Sequence, residues 1–192
     1  MPNIYIIAGC NGAGKTTASF TVLPEMLDCK EFVNADEIAK GLSPFQPETV
    51  SFHAGRIMLE RIIKLIDFEV DFAFETTLTT ISYKNTIELA KKKGYKITLL
   101  FFWLNDVKLA IERVATRVSE GGHNIPEDGF SRRYFKGLAN LTNVFINICD
   151  YWIVIDNSNN PYKFIAEGAI NLPVTIYDNL IWNEIKTKNH EK

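Results

Sequence analysis

The sequence predicts an α/β protein built on a mainly parallel sheet. Three observations carry that expectation. Five short apolar runs, almost unbroken by polar residues, alternate with segments of helical periodicity. Unbroken runs suit strands that are covered on both faces. Successive parallel strands need a crossover, which a helix supplies in the right-handed sense. The third observation is local: the first run meets three glycines, and a helical pattern follows at once.

The strands are expected over 3–8 (NIYIIA), 31–35 (EFVNA), 70–75 (VDFAFE), 96–104 (KITLLFFWL) and 150–155 (DYWIVI). Residues 47–67 place Val50, Ala54, Ile57, Met58, Ile62, Leu65 and Ile66 at steps of three and four, which makes one apolar helical face. A helix over 82–93 should close at Gly94, a residue that accepts the left-handed conformation of a C-terminal cap. Another over 106–120 should end at Gly121-Gly122. The next should start with Asn124 as its cap, Pro126 near its first turn and Glu127 three residues after Asn124. The stretch NSNNPYKF reads as a turn before a further helix, and the tail 186–192 (KTKNHEK) as a frayed end.

A chain of 192 residues suits a single domain over 1–192. Its 46% hydrophobic and 23% charged residues are ordinary for a soluble globular protein. The net charge of −2 gives no electrostatic reason to expect nucleic acid or an anionic membrane as partner. The longest apolar run, ITLLFFWL, is too short to cross a bilayer, and no basic leader precedes the first strand. Cys10, Cys29 and Cys149 are scattered, which fits a reducing cytoplasm and neither a disulfide framework nor a zinc site.

The glycines have a chemical reading. Gly9-x-x-x-x-Gly14-Lys15-Thr16 fits the phosphate-binding loop G-x-x-x-x-G-K-[ST], and it stands between a strand and a helix as that motif requires. Glycines let the backbone curl so that its N–H groups face phosphate oxygens. Asn11, Gly12, Ala13, Gly14, Lys15, Thr16 and Thr17 are the expected ATP-binding residues. Lys15 supplies a point charge to the β- and γ-phosphates, and Thr16 is placed to ligate Mg²⁺. Cys10 lies inside the loop, so its oxidation could block the nucleotide site.

In open α/β sheets ligands collect at the carboxyl ends of strands, and two strands here end in acids. Asp36 follows the second strand and could deprotonate or orient a substrate hydroxyl; its alternative is a helix N-cap. Glu75 ends the third and could hold substrate, with Thr76, or reach Mg²⁺ through water; its alternative is a buried acid satisfied by Thr76 and Thr77. In AIERVATRVSEGGHNIPEDGFSRRYF, Arg113 and Arg117 share a helical face, while Arg132 and Arg133 diverge, and Arg133 is taken as the one reaching nucleotide. Arginines on a lid over about 112–135 would stabilise the charge that spreads over a transferring phosphoryl group. The alternative is a solvated helix with Glu112 and Glu120 as partners. Arg56 and His123 are candidates for substrate contact, each with an ordinary surface role as its alternative.

Four blocks in order, GCNGAGKTT, FVNADEIAKGL, FAFETTL and RVATRVSEGGHNIPEDGFSRRYFKGLANL, resemble the zeta-toxin-like P-loop kinases, a group also called predicted ABC-type ATPases. The resemblance runs from about residue 1 to 157. It implies a nucleotide-kinase-like fold with helices on both faces of a parallel sheet ordered 2-3-1-4-5. It also implies ATP and Mg²⁺ as cofactors and transfer of the γ-phosphoryl group to a small-molecule hydroxyl. True zeta toxins act on the sugar 3′-hydroxyl of UDP-N-acetylglucosamine. By motif match Asp36 takes the general-base position, Lys15 that of the P-loop lysine, Glu75 that of an acid at the substrate site and Arg113 that of a phosphate-binding arginine. An antitoxin, where one exists, would be a separate chain. This chain departs from the toxins in TTLTTIS, which lacks their arginine, and in carrying His123 three residues before Pro126. Other readings are a P-loop ATPase or nucleotide switch acting on a protein partner, and a kinase of the same fold for another metabolite.

Overall fold

A computed structural model describes residues 1–119 and 129–188, with the backbone alone at Met26. The chain runs β1 (Asn3–Gly9), α1 (Lys15–Met26), β2 (Phe32–Val33), α2 (Ala35–Leu42), a 3-10 turn (Pro47–Val50), α3 (Ser51–Asp67), β3 (Phe72–Thr76), α4 (Tyr83–Lys92) and β4 (Lys96–Trp103). It continues through α5 (Val107–Ser119), α6 (Phe130–Asn140), a π-turn (Leu141–Phe145), α7 (Ile146–Ile148), β5 (Tyr151–Asp156), β6 (Lys163–Ala169), β7 (Thr175–Ile176) and α8 (Asn179–Thr187).

The seven strands form one sheet in the order β2-β3-β1-β4-β5-β6-β7. The first five in that order pair in parallel, and β6 and β7 add antiparallel to the β5 edge. The parallel part therefore has the expected order 2-3-1-4-5. The chain leaves β1 toward β2 on one side and leaves β3 toward β4 on the other. A crevice opens between the carboxyl ends of β1 and β3, where such sheets bind ligands.

Alternation along the strands splits the core into two layers. Ile4, Ile6, Phe72, Phe74, Ile97, Leu99 and Phe101 pack against α3, α4, α6 and α8. Ile7, Ala73, Phe102 and Ile155 pack on the opposite face against Ala13, Leu23, Ala110 and Val114. Both faces are covered, which is why the sequence shows unbroken apolar runs. Burial of a side chain such as Phe72 or Phe74 stabilises the fold by about 2–3 kcal/mol.

The local expectations hold in most places. Gly94 has φ 83°, Gly94 N–H donates to the Lys91 carbonyl and Tyr95 N–H to that of Ala90, the paired bonds of a Schellman cap. Three expectations are corrected. The second strand is only Phe32–Val33, because Asn34 leaves the sheet to cap α2. The helix expected from Asn124 begins at Phe130 behind Gly129, at φ 83°; Asn124 and Pro126 lie outside the described residues. The turn at NSNNPYKF leads into β6 and not a helix, since β5 offers an edge for pairing. The last helix is α8, capped by the Asp178 carboxylate, which accepts from Ile181 N–H; it runs into the stretch expected to fray.

Candidate active site

Between β1 and α1 the backbone winds through Gly12 at φ 81° and Gly14 at φ 80°. A Cβ on Gly12 would lie 2.6 Å from the Ala110 carbonyl oxygen, and one on Gly14 would lie 2.6 Å from the Asn157 amide nitrogen. Both conformation and space exclude other residues there. No side chain caps α1 and its first turn holds no acid, so its free N–H groups and positive pole face the crevice. The Lys15 ammonium, 5% exposed, folds back over the loop and donates to the Cys10 carbonyl at 3.0 Å.

Glu75 stands opposite on β3. Its Oε1 lies 3.3 Å from Lys15 Nζ, and its Oε2 accepts from Thr16 Oγ1 at 2.7 Å and Asn34 Nδ2 at 2.9 Å. Its partners are thus Lys15, Thr16 and Asn34, and not Thr76 and Thr77 as the structural alternative expected. The Thr76 hydroxyl instead accepts from Leu78 N–H and shapes the following turn. The N-cap of α2 is Asn34, whose Oδ1 accepts from Asp36 N–H at 2.8 Å and Glu37 N–H at 3.4 Å. The capping role considered for Asp36 is therefore filled, and the Asp36 carboxylate lines the cleft with Lys15 and Thr16.

Arg113 and Arg117 both line that cleft from α5. Arg113 is held by donating to the carbonyls of Asn157 and Ser158, each at 2.9 Å. Asn157 in turn donates from Nδ2 to the Ala13 carbonyl at 2.8 Å, so the loop after β5 fastens the P-loop to α5. Arg117 also borders a second groove, with Phe20, Thr21, Glu37 and Lys40. Arg133 lies over the Phe130 ring and beside a small cavity with Cys10 and Thr77, apart from the main cleft. Arg56 is exposed on α3 and borders neither the cleft nor the groove. His123 lies outside the described residues. Sequence reading did not single out Asn34 or Asn157. For Asn34 a signal exists, an Asn directly before a helix with Glu37 three residues on. For Asn157 none does, since its partner is 144 residues away.

The main cleft, about 260 Å³, is lined by Asn11, Gly12, Gly14, Lys15, Thr16, Thr17, Asp36, Glu75, Arg113 and Arg117. Three cations, the N-terminus of α1 and glycine backbone suit a polyphosphate. The Thr16 hydroxyl directs its proton to Glu75, which leaves its lone pairs for a hard cation; with the carboxylates, this donor set fits Mg²⁺. Among the described residues no group of three His, Cys, Asp or Glu forms a metal cage, and no helix is long and apolar enough to cross a membrane. Burial pushes the Cys10 thiol up to about 11, against the opposing pull of Lys15.

The family model described as Zeta toxin matches residues 1–166. An uncharacterized protein of Haemophilus influenzae is 32% identical over 128 residues, 66% of this chain and 88% of that protein. A chain of the AvrRxo1-ORF1:AvrRxo1-ORF2 complex, solved with sulphate ions and with ATP, superposes with a TM-score of 0.80 at 15% identity. The match covers 100% of this chain but 65% of that one, so this chain spans about two thirds of that chain's length. A structure of the PezAT toxin–antitoxin system of Streptococcus pneumoniae gives a TM-score of 0.67 at 19% identity, covering 95% of this chain and 76% of that chain. With the family match spanning most of its length and with a P-loop, two acids and two arginines around one crevice, the chain belongs to the zeta toxin family, with the fold and cleft of a P-loop phosphotransferase.

Proposed function

We propose that the protein is an ATP-dependent kinase that transfers the γ-phosphoryl group to a hydroxyl of a small molecule, with Asp36 as general base. The observation that carries this reading is the Asp36 carboxylate, which lines the P-loop cleft while Asn34 does the capping. An acid that is free of structural duty beside the γ-phosphate position can accept the proton of the attacking hydroxyl. Lys15 and the loop N–H groups hold the β- and γ-phosphates, and Arg117 meets the charge that spreads over the transferring oxygens. Arg113 positions the rim by gripping the Asn157 and Ser158 carbonyls. When bound, Mg²⁺ neutralises phosphate charge, and Thr16 with the neighbouring carboxylates would hold it.

The acceptor we propose is a nucleotide sugar such as UDP-N-acetylglucosamine. The support is family membership and the second groove, about 460 Å³, which shares Thr16, Thr17, Asp36 and Arg117 with the cleft and offers Lys40 and an exposed Phe20 ring beyond it. The working unit would be one domain over 1–192, with 112–135 as its lid; the support is Arg117 near the end of α5. Reduced thiols and ATP as donor fit the cytoplasm. An antitoxin on a separate chain is the proposed partner, by analogy with the toxin–antitoxin pairing of the PezAT system.

The test is incubation with ATP·Mg²⁺ and a panel of nucleotide sugars, nucleosides and other hydroxyl metabolites, followed by mass spectrometry. The expected result is one added phosphate on a nucleotide sugar. A phosphorylated acceptor of another class would keep the kinase and discard the substrate; ATP turnover without any phosphorylated acceptor would discard both.

A further inference from the structure

We infer that Asn34 is a positioning residue that sets the proposed base Asp36 against the P-loop; this rests on the reading of Asp36 as general base. Asn34 is 6% exposed and both ends of its amide are engaged. Oδ1 accepts from Asp36 N–H at 2.8 Å, and Nδ2 donates to Glu75 Oε2 at 2.9 Å. The same Glu75 oxygen accepts from Thr16 Oγ1 at 2.7 Å, and the other lies 3.3 Å from Lys15 Nζ. Asp36 is therefore one hydrogen bond from Asn34, which is one from Glu75, which holds the two P-loop side chains. The orientation of the amide follows from its neighbours: turned over, its NH₂ would meet two N–H groups and its oxygen a carboxylate.

This arrangement asks for an amide. Serine or aspartate caps a helix about as well as asparagine, so capping alone would not select it. A serine hydroxyl can both donate and accept, but from one oxygen on a shorter side chain, whereas the amide reaches Glu75 and the helix with separate atoms; aspartate would set a second carboxylate against the first. Without the bridge, the start of α2 keeps its cap but loses its tie to the phosphate site. Phosphoryl transfer depends on the placement of the attacking oxygen, so a shift of the base by a fraction of an ångström lowers turnover far more than binding.

The experiment is a double-mutant cycle of Asn34→Ser with Asp36→Asn. It reads ATP·Mg²⁺ turnover with UDP-N-acetylglucosamine and with water alone, ATP affinity by calorimetry and thermal stability. Asn34→Ser should lower kcat by about tenfold or more with ATP affinity within about twofold and the melting temperature lowered by only a few degrees, the cost of the lost bond to Glu75. In the Asp36→Asn background it should cost nothing further, since there is no base left to misplace. A full additional loss in that background, an unchanged kcat, or a loss confined to stability would overturn the role of Asn34 while leaving the base in place. An Asp36→Asn protein with wild-type turnover would overturn the base reading itself, and this inference with it. Should Asn34→Ser fail to fold, Asn34→Asp is measured in the same cycle; failure of both to fold would assign Asn34 to stability and overturn the proposal.

Discussion

Lys15 shows how one side chain can serve two ends. It is buried against Glu75 and also lines the cleft proposed for phosphate. Lys15→Ala should therefore abolish ATP binding measured by calorimetry and also destabilise the fold by about 1–3 kcal/mol, because Glu75 loses its cation. Adding Glu75→Gln should restore most of that stability and none of the ATP affinity; if affinity returned with stability, Lys15 would be only a structural partner. The arginines divide in the same way. Arg117→Ala should lower kcat about 10²-fold, whereas Arg113→Ala, which releases the Asn157 and Ser158 carbonyls, should lower the melting temperature and ATP affinity together. Equal effects of both changes on kcat alone would refute that division. The P-loop, Asp36 and Glu75 were legible because their residue types stand at strand ends in a known spacing. Which hydrogen bond each one makes was not, since Asn34 and Asn157 act through partners remote in sequence.

At the scale of elements, two glycines decide how closely helices and strands approach. A Cβ on Gly137 of α6 would lie 2.7 Å from the Thr77 carbonyl, and one on Gly168 of β6 would lie 2.6 Å from the Trp152 ring. Trp152 in turn stacks on Trp182 of α8, centroids 5.4 Å apart, so β6 and α8 share one packing unit. Gly137→Ala and Gly168→Ala should each cost about 1–3 kcal/mol in urea unfolding, and Gly94→Ala, where no neighbour lies within 4 Å, should cost only backbone strain of about 1–2 kcal/mol. A neutral Gly168→Ala would mean that Trp152 can move aside. Helices were legible from their periodicity and from Gly94. β6 was missed because its apolar residues, Phe164, Ile165 and Ala166, carry no alternation; only the free edge of β5 makes them a strand.

For the whole molecule, the two-layer core explains the chemistry of its thiols. Burial raises Cys10 and Cys29 to about 11 and Cys149 to about 12. An unfolded thiol ionises near pH 8.5–9, so the folded pKa lies above the unfolded one. Stability is then complete below about pH 9 and falls as pH rises from there toward 11–12. The buried tyrosine Tyr95, raised to about 12 by burial, acts with the same sign. The urea midpoint should drop between pH 8 and pH 10, and Cys149, fully buried, should resist alkylation at pH 8 in the folded protein; fast labelling of Cys149 without unfolding would contradict its burial. The order of the five parallel strands followed from the family resemblance, and the added antiparallel edge did not. The central place of β1 also constrains synthesis. Its backbone partners are β3 and β4, and the loop behind it is fastened by Asn157, 144 residues from Ala13. A nascent chain thus displays its lysine and glycines on the ribosome long before it owns a nucleotide site. Ribosome-bound chains whose exposed part stops short of Asn157 should retain no ATP analogue, and the first to do so should be those in which Asn157 has cleared the exit tunnel.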